Sequence, residues 1–197
     1  MLNTKQTIVI VVVVALMAAL LARPIKGLVT EDKESTSAAA DTSSAYTLSA
    51  VSEITKQSIN PSLAEEITDL ESKVQASSGE EKLSLLQQLA DKWEDLAKTA
   101  PQGFIYEEMA KISPKFDYWL KAGNAYRVSY TNLQDTSMAR ALTDNAMRAY
   151  QKASDLDANN LDAKTGLGAA MVSGTSNPMA GIALLREVVA KEPKNLE

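Results

Sequence analysis

Two phrases near the C-terminal end of the chain match: Asp157-Ala158-Asn159-Asn160-Leu161-Asp162 and, 35 positions on, Glu192-Pro193-Lys194-Asn195-Leu196-Glu197. A period of this size belongs to arrays of helical repeats, whose units bury their apolar faces by stacking on their neighbours. The period therefore predicts an all-α solenoid. It also favours binding over catalysis, because such arrays present extended concave surfaces.

The same register relates Ala146 to Gly181, Tyr150 to Leu185, Ala153 to Val188 and Ala158 to Pro193. Each set marks the second helix of a two-helix unit. Trp119, Ala122, Gly123 and Tyr126 mark the first helix of one unit, and Leu167, Gly168 and Met171 that of the next. Glycine at 123 and 168 would let another helix approach closely, offsetting a helix-propensity cost of about 1 kcal/mol relative to Ala. Tyr150 and Leu185 are expected to fill the space between hairpins. Asn177-Pro178 reads as an N-cap followed by proline at the first helical position, and Pro193 as a terminator. The first unit is ten residues longer than the second between its glycine and its terminator, and the excess lies between Arg127 and Asn145. This predicts a hairpin with both helices extended by about one turn, projecting beyond the array.

Upstream, Leu48, Val51 and Ile54 space as one face of a short helix, broken at Asn60-Pro61-Ser62. Leu63, Ile67, Leu70 and Val74 form the next stripe, which ends at Ser77-Ser78-Gly79. A third helix is expected from about Glu80 to Thr99, with Leu83, Leu86, Ala90, Trp93 and Ala97 on one side. Pro101-Gln102-Gly103 reads as a turn before a short helix from Phe104 to Ile112.

Residues 7–22 contain no charge. As a helix they cover about 24 Å at about 1.5 Å per residue, and Gln6 and a snorkelling Arg23 extend this towards the roughly 30 Å of a bilayer core. A single-pass transmembrane signal anchor is expected. A cleaved signal peptide is the competing reading, but Leu20-Leu21-Ala22 followed by Arg23-Pro24 makes a poor cleavage site. Residues 31–46, rich in Ser, Thr, Ala and acids, read as a flexible tether. The expected organisation is an anchor over 1–30, a linker over 31–46, a helical region with a degenerate hairpin over 47–112, and two repeat units over 113–197. The last residues open what the period makes a further helix, so the array is expected to continue beyond this sequence.

Composition narrows the chemistry. The chain has 20 basic and 25 acidic residues, no Cys and no His. The acidic balance disfavours nucleic acid as a partner. Without Cys or His, the usual zinc sites, thiol nucleophiles and imidazole acid–base catalysis are excluded. The adjacent acids Glu65-Glu66, Glu80-Glu81 and Glu107-Glu108 do not form catalytic pairs, since neighbours on a helix do not face each other. No enzymatic activity, cofactor or metal is expected.

With these landmarks in place, residues 80–197 resemble a bacterial tetratricopeptide-repeat (TPR) protein, and the whole layout resembles the single-pass membrane-anchored members. The resemblance implies an N-terminal transmembrane helix followed by a right-handed solenoid of antiparallel helix hairpins. It implies a protein or peptide partner held in a concave groove lined by the first helix of each unit. It further implies a scaffold in the bacterial inner membrane with a periplasmic C-terminal domain. An assembly chaperone presenting peptide segments to a maturation machine is the alternative. Carried onto matching positions, the groove comprises Asp117, Leu120, Asn124 and Arg127, then Asp162 and Thr165, with Ala169 and Val172 beyond. Some members clamp a terminal carboxylate with Lys, Arg and Asn from several repeats; Thr165 and Ala169 leave that clamp incomplete here.

Overall fold

The computed structural model describes residues 46–131, 133–175 and 178–191. Among them are eight helices and no strand. These are α1 (Leu48–Lys56), α2 (Pro61–Ala76), α3 (Gly79–Asp95), α4 (Thr99–Ile112), α5 (Phe116–Thr131), α6 (Thr136–Leu156), α7 (Leu161–Gly174) and α8 (Pro178–Lys191). The fold is all-α. None of these helices is long and apolar enough to cross a membrane. The expected anchor and tether lie outside the described residues, apart from Tyr46, as do Asn177 and the second copy of the opening phrase.

Local chemistry sets most boundaries. Thr47, Asn60, Asp135 and Asn160 each accept a hydrogen bond from a first-turn amide of the helix that follows, supplying donors in that turn with an acceptor. Pro61 and Pro178 open their helices as expected. Two boundaries differ from the sequence reading. α3 stops at Asp95, short of Thr99, because Ala97 adopts a left-handed conformation with φ 52°. The Lys98 amide then donates to the Trp93 carbonyl at 2.9 Å and the Ala97 amide to that of Glu94 at 2.8 Å. This pairing closes a helix C-terminus and usually uses glycine. The expected turn at Pro101-Gln102-Gly103 is instead helical and buried in the first turns of α4. Proline is tolerated there because the first amides of a helix have no intrahelical acceptor.

Consecutive helices from α3 onwards run antiparallel. Gln102 Nε2, early in α4, donates to the Ala90 carbonyl late in α3, and Thr99 meets Ser129 late in α5. Glu187 near the end of α8 meets Lys164 near the start of α7. α1 lies against α2 through a polar clasp in which Lys56 Nζ reaches Thr68 and Glu71, both at 3.0 Å.

Within and between hairpins the core repeats one device, a large side chain laid over a glycine of a neighbouring helix. Tyr126 of α5 covers Gly103, Tyr150 of α6 covers both Gly123 and Gly166, and Leu185 of α8 covers Gly168. Gly123 and Gly168 thus have the role expected of them; Tyr150 reaches the next hairpin at Gly166 as expected, whereas Leu185 packs on Gly168 of its own hairpin. A Cβ at Gly123 would lie 2.7 Å from the Tyr150 ring, and one at Gly168 2.8 Å from Leu185. Trp93, Tyr126 and Tyr150 are fully buried core residues, and Trp119 packs at the core's edge.

The extension of the longer unit is distributed unevenly. α5 has 16 residues and α6 has 21, against 14 each for α7 and α8. The added turns fall almost wholly on α6. Nor does the added part simply project: Met138, Ala141 and Leu142 are buried, and Thr143 sits over Gly174 of α7. Its outer residues Ser137 and Arg140 are exposed. On α8, Leu185 and Val188 turn inward, while Leu184 is half-buried and Val189 exposed.

Gly166→Ala places a methyl group in the Tyr150 ring and is expected to destabilise the fold by about 1–3 kcal/mol, outweighing the better helix propensity. Adding Tyr150→Leu should recover part of the loss in urea denaturation. Ala97→Gly relieves a left-handed non-glycine position and should raise the urea midpoint by about 1 kcal/mol of stability with an unchanged slope.

Candidate partner-binding face

The structure sorts the predicted groove residues into three kinds. Asp117 and Asp162 are exposed in the first turns of α5 and α7, where a carboxylate also complements the helix dipole. Leu120 is half-buried and packs against the core, so it is a wall and not a free contact. Asn124 and Arg127, one turn apart on α5, are exposed and brought together by a third residue, Tyr150.

Tyr150 organises this face. Its ring is buried between Gly123 of α5 and Gly166 of α7, and its hydroxyl is covered by the side chains of the exposed residues Asn124 and Arg127. The hydroxyl donates to Asn124 Oδ1 at 2.8 Å and accepts from Arg127 Nε at 3.3 Å. Burial pushes the phenol above its ordinary pKa, partly opposed by Arg127, so it remains a neutral donor. Thr165 is exposed beside Gly166, which lies against the hydroxyl end of the ring. Along the same edge, the half-buried Tyr130 faces Ser173 of α7 and feels the charge of Arg127. A polar row therefore runs from α5 across Tyr150 to α7, joining Asn124, Arg127, Tyr130 and Ser173. Ala169 and Val172 share α7 with Ser173, half-buried and exposed respectively.

Sequence reasoning found Asn124 and Arg127 but missed the Tyr150 and Tyr130 hydroxyls and Ser173. Tyr150 reads as a core filler, which is true of its ring and incomplete for its oxygen. The available signal was that a tyrosine, unlike the Leu185 in its register, carries a polar tip that needs a partner.

A second polar cluster ties three helices together without joining this face. Glu107 of α4 accepts from the buried Tyr126 hydroxyl of α5 at 2.7 Å and pairs with Lys111 at 2.8 Å and Arg148 of α6 at 3.4 Å. Arg148 also donates to the buried Asn145 at 3.0 Å. Its neighbour Glu108 pairs elsewhere, with Lys82 of α3 at 2.6 Å, as adjacent positions on a helix require. Among the described residues no group of His, Cys, Asp or Glu is arranged to hold a metal ion.

Comparison with known proteins finds no matching family model, no similar curated protein and no similar solved structure.

Burial acts to raise the Glu107 pKa, but the bonds from Lys111 and Tyr126 and the nearby positive charges hold it below the ordinary value. A lowered folded-state pKa means that the stabilisation is present above the unfolded value of about 4.3 and is lost as pH falls through the folded one. Glu107→Gln should flatten this part of the stability–pH curve measured by urea denaturation. Glu107→Ala, which leaves the buried Tyr126 hydroxyl without an acceptor, should cost about 2 kcal/mol at neutral pH.

Proposed function

We propose that the chain is a membrane-anchored scaffold of the tetratricopeptide-repeat type that binds a protein partner on the α5/α7 face. In this reading the hairpins form a right-handed solenoid and the uncharged run over residues 7–22 anchors it in the bacterial inner membrane, with the helical part periplasmic. The observation that carries the binding role is the polar row around Tyr150. An exposed amide and an exposed guanidinium stand on a fixed hydroxyl, on the helix face where the tetratricopeptide resemblance implies a groove. Such polar groups, held by a packed core and open to solvent, suit recognition. Further support for the repeat reading comes from the glycine-and-filler contacts at Gly123–Tyr150 and Gly168–Leu185, whose fillers lie 35 residues apart while their glycines, separated also by the ten-residue extension, lie 45 apart.

A photoreactive phenylalanine analogue at Thr165, in the full chain in its native membrane, should give a discrete light-dependent adduct with another protein. The same analogue at Glu65, exposed on α2, should not. Equal labelling from both positions, or none from Thr165, would count against the assigned face. A C-terminal reporter fusion active only in the periplasm tests the topology.

A further inference from the structure

We propose that Arg127, held on the Tyr150 hydroxyl, is the point at which this face grips the carboxylate of an acidic side chain in an extended partner segment. The inference rests on the reading of this face as a partner surface and names the chemistry that the surface selects.

Many of the cations on the described helices already have a carboxylate. Lys56 pairs with Glu53 and Glu71, Lys82 with Glu108, Lys92 with Glu66, Lys111 and Arg148 with Glu107, and Lys164 and Lys191 with Glu187. Arg127 has none within ion-pair distance among the described residues, and its side-chain hydrogen bond goes to a neutral phenol. A guanidinium carries five N–H donors, and the bond from Nε leaves those of both terminal nitrogens for a ligand. The planar fork they form matches a carboxylate through two parallel bonds.

Two features make this fork a prepared group and not a solvated side chain. Its anchor does not swing, because the Tyr150 ring is wedged against Gly123 and Gly166. The anchor is also oriented: the phenol gives its proton to Asn124, which turns an oxygen lone pair towards Arg127 Nε. The entropy of ordering the guanidinium is thus partly met before any ligand arrives. Among the described residues, Arg127 is the cation whose charge acts on Tyr130 and Tyr150. A single fork with hydroxyls beside it suits a singly charged carboxylate better than a doubly charged phosphate.

The test is an NMR titration of the full chain in detergent micelles with an amidated Ac-Gly-Ser-Glu-Leu-Gly peptide, its Gln counterpart, and the Gln peptide with a free C-terminal carboxylate. The Glu peptide should shift the Arg127 Nε–H signal and the Tyr130 ring signals saturably, with an affinity about tenfold above that of the amidated Gln peptide. Arg127→Lys keeps the charge without the fork, and Tyr150→Phe keeps the ring without the anchor. Both should retain the amide spectrum and lose threefold or more in affinity, read from the Ser173 amide. Equal shifts with both amidated peptides, undiminished binding by Arg127→Lys, or a preference for the free C-terminal carboxylate would each overturn the proposal. A persistent Thr165 adduct without a Glu-peptide response would sink this inference and leave the partner surface standing.

Discussion

The Tyr150 ring occupies a slot that exists only because residues 123 and 166 have no side chain. Three helices, α5, α6 and α7, meet there, and two of them belong to different hairpins. Each glycine is unfavourable in a helix by about 1 kcal/mol relative to alanine. The return is the burial of a whole aromatic face, together with the close approach that brings α7 alongside α5. Because the ring is clamped, its hydroxyl has one position, and the groups that use it, Asn124 and Arg127, inherit that position. The candidate surface is thus a consequence of the packing that joins the hairpins.

The same device recurs at Gly103 with Tyr126 and at Gly168 with Leu185, and the difference between the fillers matters. Leu185 ends in methyl groups and needs nothing more. Tyr126 ends in a hydroxyl that stays inside, where an unpaired donor is costly, and Glu107 meets it there. That buried carboxylate in turn draws in Lys111 and Arg148, so a polar tie spans α4, α5 and α6. Tyr150 is as fully buried, but its oxygen meets the exposed residues Asn124 and Arg127 instead. The partners that meet the hydroxyl turn one residue type from a structural tie into part of a candidate binding face.

Much of the helical layout was legible because it rests on local signals. Apolar spacing located the stripes of α1 to α3, and Asn60, Asp135 and Asn160 are ordinary caps. The misread places have non-local causes. Ala97 closes α3 in a conformation for which the expected marker is glycine, and nothing in a string of letters distinguishes it from the other alanines. Pro101 and Gly103 are strong turn signals, yet α4 runs through both because its first turn needs no amide at Pro101 and the Tyr126 ring needs the space at Gly103. The ten additional residues were correctly located between Arg127 and Asn145. Their placement on α6 reflects the burial of Met138, Ala141 and Leu142, which makes two more turns of that helix favourable.

By itself the sequence determined the all-α class, the register relating Tyr150 to Leu185, and the glycines that admit them. All follow from periodicities and residue sizes written along one chain. The resemblance it carries also marked Asn124 and Arg127 as groove residues, and both are exposed, since 3.6 residues per turn leaves them opposite the buried positions of their helix. Only the tertiary structure decided that these two share the hydroxyl of a tyrosine more than twenty positions away, and that Ser173 of α7 joins the same edge through Tyr130. Such meetings depend on how closely neighbouring helices approach. That distance is set by the packing of Tyr150 against Gly123 and Gly166, a contact among three helices that no single segment encodes.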